Sequence, residues 1–479
     1  MTRTDPLAPY DAVLVLSYGG PQGPDDVLPF MRNATAGRGI PDERLLQVSG
    51  HYAGFDGVSP INARNAEMLD ALRTELARRG SRLPVVIGNR NWHPFVSEAM
   101  RELTNAGAQR ILTMTTSAYG SYSGCRQYRE DTAAALAQLA TGSDGTTGQG
   151  FEADAAARVG GAGGAPVALT VDKTRPFYNT PGMLVANVDA IVSAFDKLTT
   201  QGVPADGIRL VLVTHSVPVT MEEGSSPDQA MAASATISSP RPPDHCPQPR
   251  PGFGAPSHPA QPEPGVAADL STEISYVEQH QRFIEVLVPA VVRRLGLASA
   301  PESELVYCSR SGPPQARWLE PDINDHLQAL AEGQLTDGRR VSVPAGVVIA
   351  PIGFVADHME VVYDLDTEAR QTAADLGIPY VRAATAGTHP AFIASLADLL
   401  LERAAVARGE EVTPTSTTGA GPFHTVCPEQ CCRSGASNHP DGRPQGHPGG
   451  TPVVPTHRAE PTPPLPARHT PKPLATKPN

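Results

Sequence analysis

The sequence predicts an α/β protein in two halves, each a parallel β-sheet flanked by helices. Three observations carry this reading. Short apolar runs of strand length alternate with stretches of helical spacing from residue 11 onward. The runs are nearly continuous in aliphatic residues, as expected of strands buried on both faces. A Gly/Ala-rich stretch, residues 141–165, separates one alternating block from the next.

The elements follow in order. DAVLVLS (11–17) reads as a buried strand ending at the turn Tyr18-Gly19-Gly20-Pro21. Residues 62–80 have helical spacing and stop at Arg79-Gly80. A strand (83–91), a helix (94–107), a strand (110–120) and a helix (127–140) come next. Strand, helix and strand at this spacing make a βαβ unit. The first domain is therefore expected over 8–140, with 141–165 as a flexible insertion.

A second domain is expected over 166–408. It contains strands at 208–216, 304–309, 346–354 and 380–384, and helices near 273–298, from Asp357, and over 389–408. Residues 222–271 interrupt it. They are rich in Pro, Ser, Ala and His, bury too little apolar surface to offset their ordering entropy, and are expected to be disordered. The tail, 409–479, is expected to be mostly disordered as well, apart from Cys427-Pro-Glu-Gln-Cys431-Cys432.

Composition narrows the function. With 40% hydrophobic residues in 479, the chain can bury real cores, and its 49 Pro and 44 Gly fit the two unpacked stretches. A net charge of -12 and only 5% aromatic residues argue against a nucleic-acid binder. No apolar run approaches the roughly 18 residues of a membrane span. The N-terminus lacks the apolar core of a signal peptide. A cytoplasmic protein is expected, in which six cysteines do not imply a disulfide framework.

In open parallel sheets, ligands bind at the carboxyl ends of strands. Two such ends carry metal-capable side chains: His215 in VTHSVP, and Asp357, His358 and Glu360 after GVVIAPIGF. Asp357 fits a helix cap. Glu360, Asp364 and Glu368 fall at i, i+4, i+8 on one helix face. Such a row can be a solvated acidic surface. Its mutual repulsion gives the helix nothing, however, and a line of hard oxygen ligands can conduct a divalent cation.

The chain resembles the ferrochelatases, of an actinobacterial type. The matching segments are LVLSYGGPQGPDDVLPFMRN (14–33), GVSPIN (57–62), GNRNWHP (88–94), TSAYGSYSGCRQYRED (116–131), VTHSVP (213–218), SRSGPPQARWLEPDI (309–323) and PIGFVADHMEVVYDLD (351–366). They span both halves in the family's order. The resemblance implies the chelatase fold, two Rossmann-like domains with a porphyrin cleft between them. It implies His215 and Glu360 as catalytic and metal-binding residues, and Asp364 and Glu368 as the iron supply route. Tyr18, Ser59 and Tyr128 are implied as porphyrin contacts. Tyr18 stands where the coproporphyrin branch carries Tyr and the protoporphyrin branch often carries Met. Thr35 and His51 fall near positions where some relatives carry propionate-binding Arg.

The expected substrates are ferrous iron and coproporphyrin III, giving coproheme in heme biosynthesis. Protoporphyrin IX, a cobalt or nickel chelatase, and a non-catalytic tetrapyrrole or iron–sulfur sensor are the alternatives. The resemblance also allows transient contact with neighbouring heme-pathway enzymes. Cys125, Cys427, Cys431 and Cys432 suit a [2Fe–2S] cluster, as in some relatives with tail cysteines. Four thiolates equally suit zinc. Cys308 reads as a core residue, and Cys246 has no expected role.

Overall fold

The computed structural model describes residues 4–36, 40–141, 155–160, 166–225, 274–310, 316–427 and 431–432. The first sheet holds β1 (Ala12–Ser17), β2 (Val85–Asn89), β3 (Arg110–Thr115), β4 (Ala155–Gly160) and β5 (Pro166–Lys173), in the order β2-β1-β3-β5-β4. All its pairings are parallel except β4 on β5. The second sheet holds β6 (Ile208–His215), β7 (Ser303–Cys308), β8 (Gly346–Ala350) and β9 (Tyr380–Arg382), all parallel, in the order β7-β6-β8-β9.

Burial on both faces explains the aliphatic runs. Along β1, Val13 and Val15 enter one core while Ala12, Leu14 and Leu16 enter another. Along β6, Leu210 and Leu212 join the first of these cores, and Val211 and Val213 face a third. One central core thus touches both sheets. Between them it takes in α3 (Ile61–Arg78), α6 (Pro181–Thr200), α7 (Tyr276–Leu295) and α9 (Pro390–Ala407). The outer faces are covered by α4 (Val96–Asn105) and α5 (Gln127–Thr141) on the first sheet, and by α8 (Ile323–Ala331) and residues 361–373 on the second.

The strand opening at Pro166 pairs with β3, so it belongs to the first sheet and not to the second half. The reason lies in the Gly/Ala-rich stretch. Its 155–160 portion is itself a strand that returns antiparallel along β5 and extends the edge. Residues 142–154 and 161–165 of that stretch lie outside the described residues.

Two helices unforeseen from the sequence form a lip beside β1: α1 (Pro24–Ala34) and α2 (Asp42–Ala53). Pro at the start of α1 and Asp25 and Asp26 in its first turn suit a helix N-terminus. Val27, Phe30 and Met31 line its buried face and pack with Leu45 and Trp92.

The tail is more ordered than its composition suggests. Residues 410–427 run along the core as a strap. The Arg175 guanidinium pairs with Glu402 at 2.7 Å and donates to the Thr415 carbonyl at 3.0 Å. The Asn179 amide donates to the Gly421 carbonyl at 2.7 Å, and the Thr417 N–H returns a bond to the Asn179 carbonyl. Phe423 is buried against Tyr178, with ring centroids 6.3 Å apart. Paired backbone groups and one buried ring hold a segment that is otherwise Pro, Thr and Gly. Residues 226–273 and 433–479, where disorder is expected, lie outside the described residues.

Replacing Phe423 with Ala should cost about 3–4 kcal/mol and free the strap. Limited proteolysis should then cut within 410–427 well before the core. Unchanged protease resistance would show that the ring does not hold it.

Candidate functional site

His215 is the last residue of β6 and lies opposite Cys308 in the β6–β7 register. Its Nδ1 makes a very short hydrogen bond to the Ser216 carbonyl, which turns Nε2 outward. Nε2 sits 3.4 Å from Glu360 Oε1. The chain reaches Glu360 from the next strand over, β8, through residues 351–359. The Glu360 N–H donates to His358 Nδ1 at 3.2 Å. Adjacent strands, with the segment 351–359 between, thus set one imidazole against one carboxylate.

Burial opposes charge on both partners, yet their mutual attraction prevails. The His215 pKa is raised by the Glu360 carboxylate against the burial that would lower it. Glu360, similarly recessed, is held down to about 2, chiefly by His215. His358 goes the other way: burial lowers its pKa, which fits a neutral ring accepting the Glu360 N–H. The His215 and Glu360 side chains keep 28% and 41% of their surface open, so an ion can reach them.

Asp357 does not cap the helix. Its carboxylate takes two bonds from Arg382, at 3.2 and 3.0 Å, and one from Thr385. The helix that follows is also unusual: Val361–Ala369 forms a π-helix, a rare wide turn frequent at functional sites. Asp364 accepts a very short hydrogen bond from Ser309, a residue just past β7 with φ 65°. Burial lifts the Asp364 pKa to about 7, helped by the charges of Glu360 and Glu368 and opposed by the Ser309 hydroxyl. Glu368 is exposed, and its carboxylate adds to burial in raising the Tyr363 hydroxyl pKa. The three acids thus run from the His215 pair outward to solvent.

The first sheet supplies the opposite wall. Tyr18, 42% exposed, follows β1 and meets Phe30 edge-on at 6.1 Å. The turn after it needs glycine. Gly19 has φ 76°, and a Cβ there would lie 2.8 Å from that of Asn89. Tyr52, on α2, feels both Glu360 and Tyr18, which together with burial raise its hydroxyl pKa. Its neighbour His51 stacks on Tyr363 at 4.1 Å and 8°. Through this contact the lip reaches the π-helix. Ser59 and Tyr128 are both buried. Ser59 lies against Gly20, and Tyr128 lies beneath the Arg90 guanidinium at 3.9 Å.

Arg90 is a residue that the sequence reading quoted in a motif but passed over. It is held by Asp131 at 2.5 Å and Gln127 at 3.1 Å, and its Nη2 is buried with no partner among the described residues. Thr35 bonds its own helix at the Met31 carbonyl and carries no charge. Arg90 is thus a buried cation near Tyr18.

A second constellation is made of cysteines. Cys125, on the short π-turn Tyr122–Arg126, gathers with Cys427, Cys431 and Cys432, all buried. Cys431 and Cys432 approach to 3.5 Å between sulfurs. Thiol donation from Cys125 lowers the Cys427 pKa, and donation from Cys427 and Cys432 lowers Cys431. Lys173 places its positive charge beside Cys125 and Cys427. Cys308 is a buried residue of the second sheet's outer core, and Cys246 lies outside the described residues. Among the described residues, no helix is long and apolar enough to cross a membrane.

Comparison with known proteins gives consistent matches. The family profile described as Ferrochelatase matches residues 10–146 and 131–404. A protein named coproporphyrin III ferrochelatase from Streptomyces coelicolor is 42% identical over 425 residues, covering 89% of this chain and 94% of its own. A protein of the same name from Streptomyces griseus is 43% identical over 429 residues, covering 89% and 94%. A protein named ferrochelatase from Rhodopirellula baltica is 33% identical over 426 residues, again covering 89% and 94%.

The raised Asp364 pKa has a consequence for stability. Between the unfolded value of 3.8 and the folded value of about 7, the native state binds the extra proton. Stability therefore falls as pH rises through this window, and the penalty is complete above it. At full weight it is about 4 kcal/mol, reduced by screening in a half-buried site. Asp364→Asn should raise the melting temperature more at pH 8 than at pH 5. An equal change at both pH values would show that Asp364 titrates normally.

Proposed function

Because the chain belongs to the ferrochelatase family, we propose that it inserts ferrous iron into coproporphyrin III, with His215 and Glu360 at the point of entry. The observation that carries this reading is the His215–Glu360 pair, set at 3.4 Å where two strand ends meet the opposite wall. Insertion replaces two pyrrole N–H protons with one Fe²⁺, so the site must take up two protons per turnover. An imidazole that has released its own proton to solvent is a suitable acceptor for a pyrrole proton, which it then passes on to solvent in turn. A nitrogen and a carboxylate oxygen also suit Fe²⁺ without trapping it.

Asp364 and Glu368 continue the path outward. A carboxyl that titrates at about 7 can hold or release a proton during turnover, and the exposed Glu368 offers iron its first oxygen ligand. Tyr18 faces the substrate from the other wall and favours coproporphyrin III over protoporphyrin IX. Ser59 and Tyr128 act from beneath that wall, Ser59 through the Gly20 turn and Tyr128 through Arg90.

The cysteine pocket fits a [2Fe–2S] cluster held by Cys125, Cys427, Cys431 and Cys432. Support comes from the four buried thiols gathered in one cluster and the nearby Lys173 charge. Bound there, a cluster supplies a cross-link from strap to core and a group that can register redox state or iron supply. Metal insertion itself transfers no electrons.

Turnover of Fe²⁺ with each porphyrin under anaerobic, otherwise identical conditions tests the substrate. We expect kcat/KM for coproporphyrin III to exceed that for protoporphyrin IX by about tenfold or more, a discrimination of about 1.4 kcal/mol. Equal or reversed preference would refute the coproporphyrin assignment. Porphyrin binding without insertion would point to a carrier or sensor.

A further inference from the structure

We propose that His424 donates a ring N–H to the Cys427 sulfur and thereby raises the reduction potential of the cluster held there. The inference rests on the cluster reading above.

His424 is placed by its neighbour. Phe423 is fixed against Tyr178 and over Gly120, where an added Cβ would meet its ring at 2.9 Å. The His424 ring sits 5.5 Å from that of Phe423, at 66°. One His424 ring nitrogen and the sulfurs of Cys427 and Cys431 all lie within 4.8 Å of one another. Both His424 nitrogens are shut off from solvent, and neither has a partner among the described residues. A buried N–H requires an acceptor, and among the described residues the Cys427 and Cys431 sulfurs lie near enough to serve.

The thiols do not need His424 as a ligand. The four thiols already form one buried cluster, with the Cys431 and Cys432 sulfurs 3.5 Å apart. That set completes the four thiolates that a [2Fe–2S] cluster takes. The imidazole is left at the Cys427–Cys431 edge, as an outer partner of a ligand. A donor to a ligand sulfur withdraws electron density and favours the reduced cluster. Neutral imidazole already carries one N–H, so the role requires no protonation. Two other donors flank the pocket at different points: Lys173 bonds the Thr174 carbonyl at 2.7 Å and sits beside Cys125, and Arg126 donates to the Cys431 carbonyl at 3.2 Å.

The test uses the full chain, reconstituted anaerobically with iron and sulfide, as wild type, His424→Ala and His424→Gln. Iron and sulfide content, a redox titration followed by absorbance and EPR, and pulsed EPR for nitrogen coupling are the readouts. The expected result is a cluster in all three proteins and a lower midpoint potential in His424→Ala. His424→Gln, which keeps an N–H, should restore part of that potential, and the wild type should show only weak nitrogen coupling. A midpoint that ignores the substitution overturns the inference. So does strong nitrogen coupling, or cluster loss in both variants, since either makes His424 a ligand. Wild-type protein without an iron–sulfur chromophore overturns the cluster reading and the inference with it.

Discussion

The arrangement depends on one attraction, that between the His215 imidazole and the Glu360 carboxylate. Each sits where burial disfavours charge, and each shifts the other's pKa toward its charged form. Their closeness is a product of sheet register. His215 ends β6, and Glu360 is delivered from its neighbour β8. A divalent cation entering between them meets a preformed nitrogen and oxygen pair, and its positive charge takes the carboxylate's attention from the imidazole. The structural ion pair and the functional site are then two states of the same groups.

Much of this was legible in the sequence, for a physical reason. Strands such as 12–16 and 210–213 are buried on both sides, so their composition is constrained at every position. The His215 and Glu360 positions followed from strand ends together with the ordered family motifs. Spacing alone left each with an ordinary alternative. Asp357 shows that limit, since its partner Arg382 is 25 residues away and no local pattern reveals it.

What the sequence concealed is non-local or backbone-encoded. β5 joins the first sheet because its edge pairs with β4 and its other edge with β3. Local composition cannot choose between sheets. The π-helix places the same acids on one face as an α-helix would, so spacing does not distinguish the two. The strap looks unstructured in composition because its order comes from Arg175 and Asn179, more than 200 residues earlier, bonding its carbonyls. The strap in turn carries Cys427 to Cys125. Tail and core meet in one buried sulfur pocket that a linear reading could propose only by analogy.

The central claim concerns the pair, and removing one member tests it most directly. His215→Ala should be assayed anaerobically for Fe²⁺ insertion into coproporphyrin III, with porphyrin binding followed by fluorescence on the same preparation. The account predicts insertion reduced by about 10²–10⁴-fold, the scale of a lost general base, with porphyrin affinity changed little. Near-normal insertion by His215→Ala would contradict it.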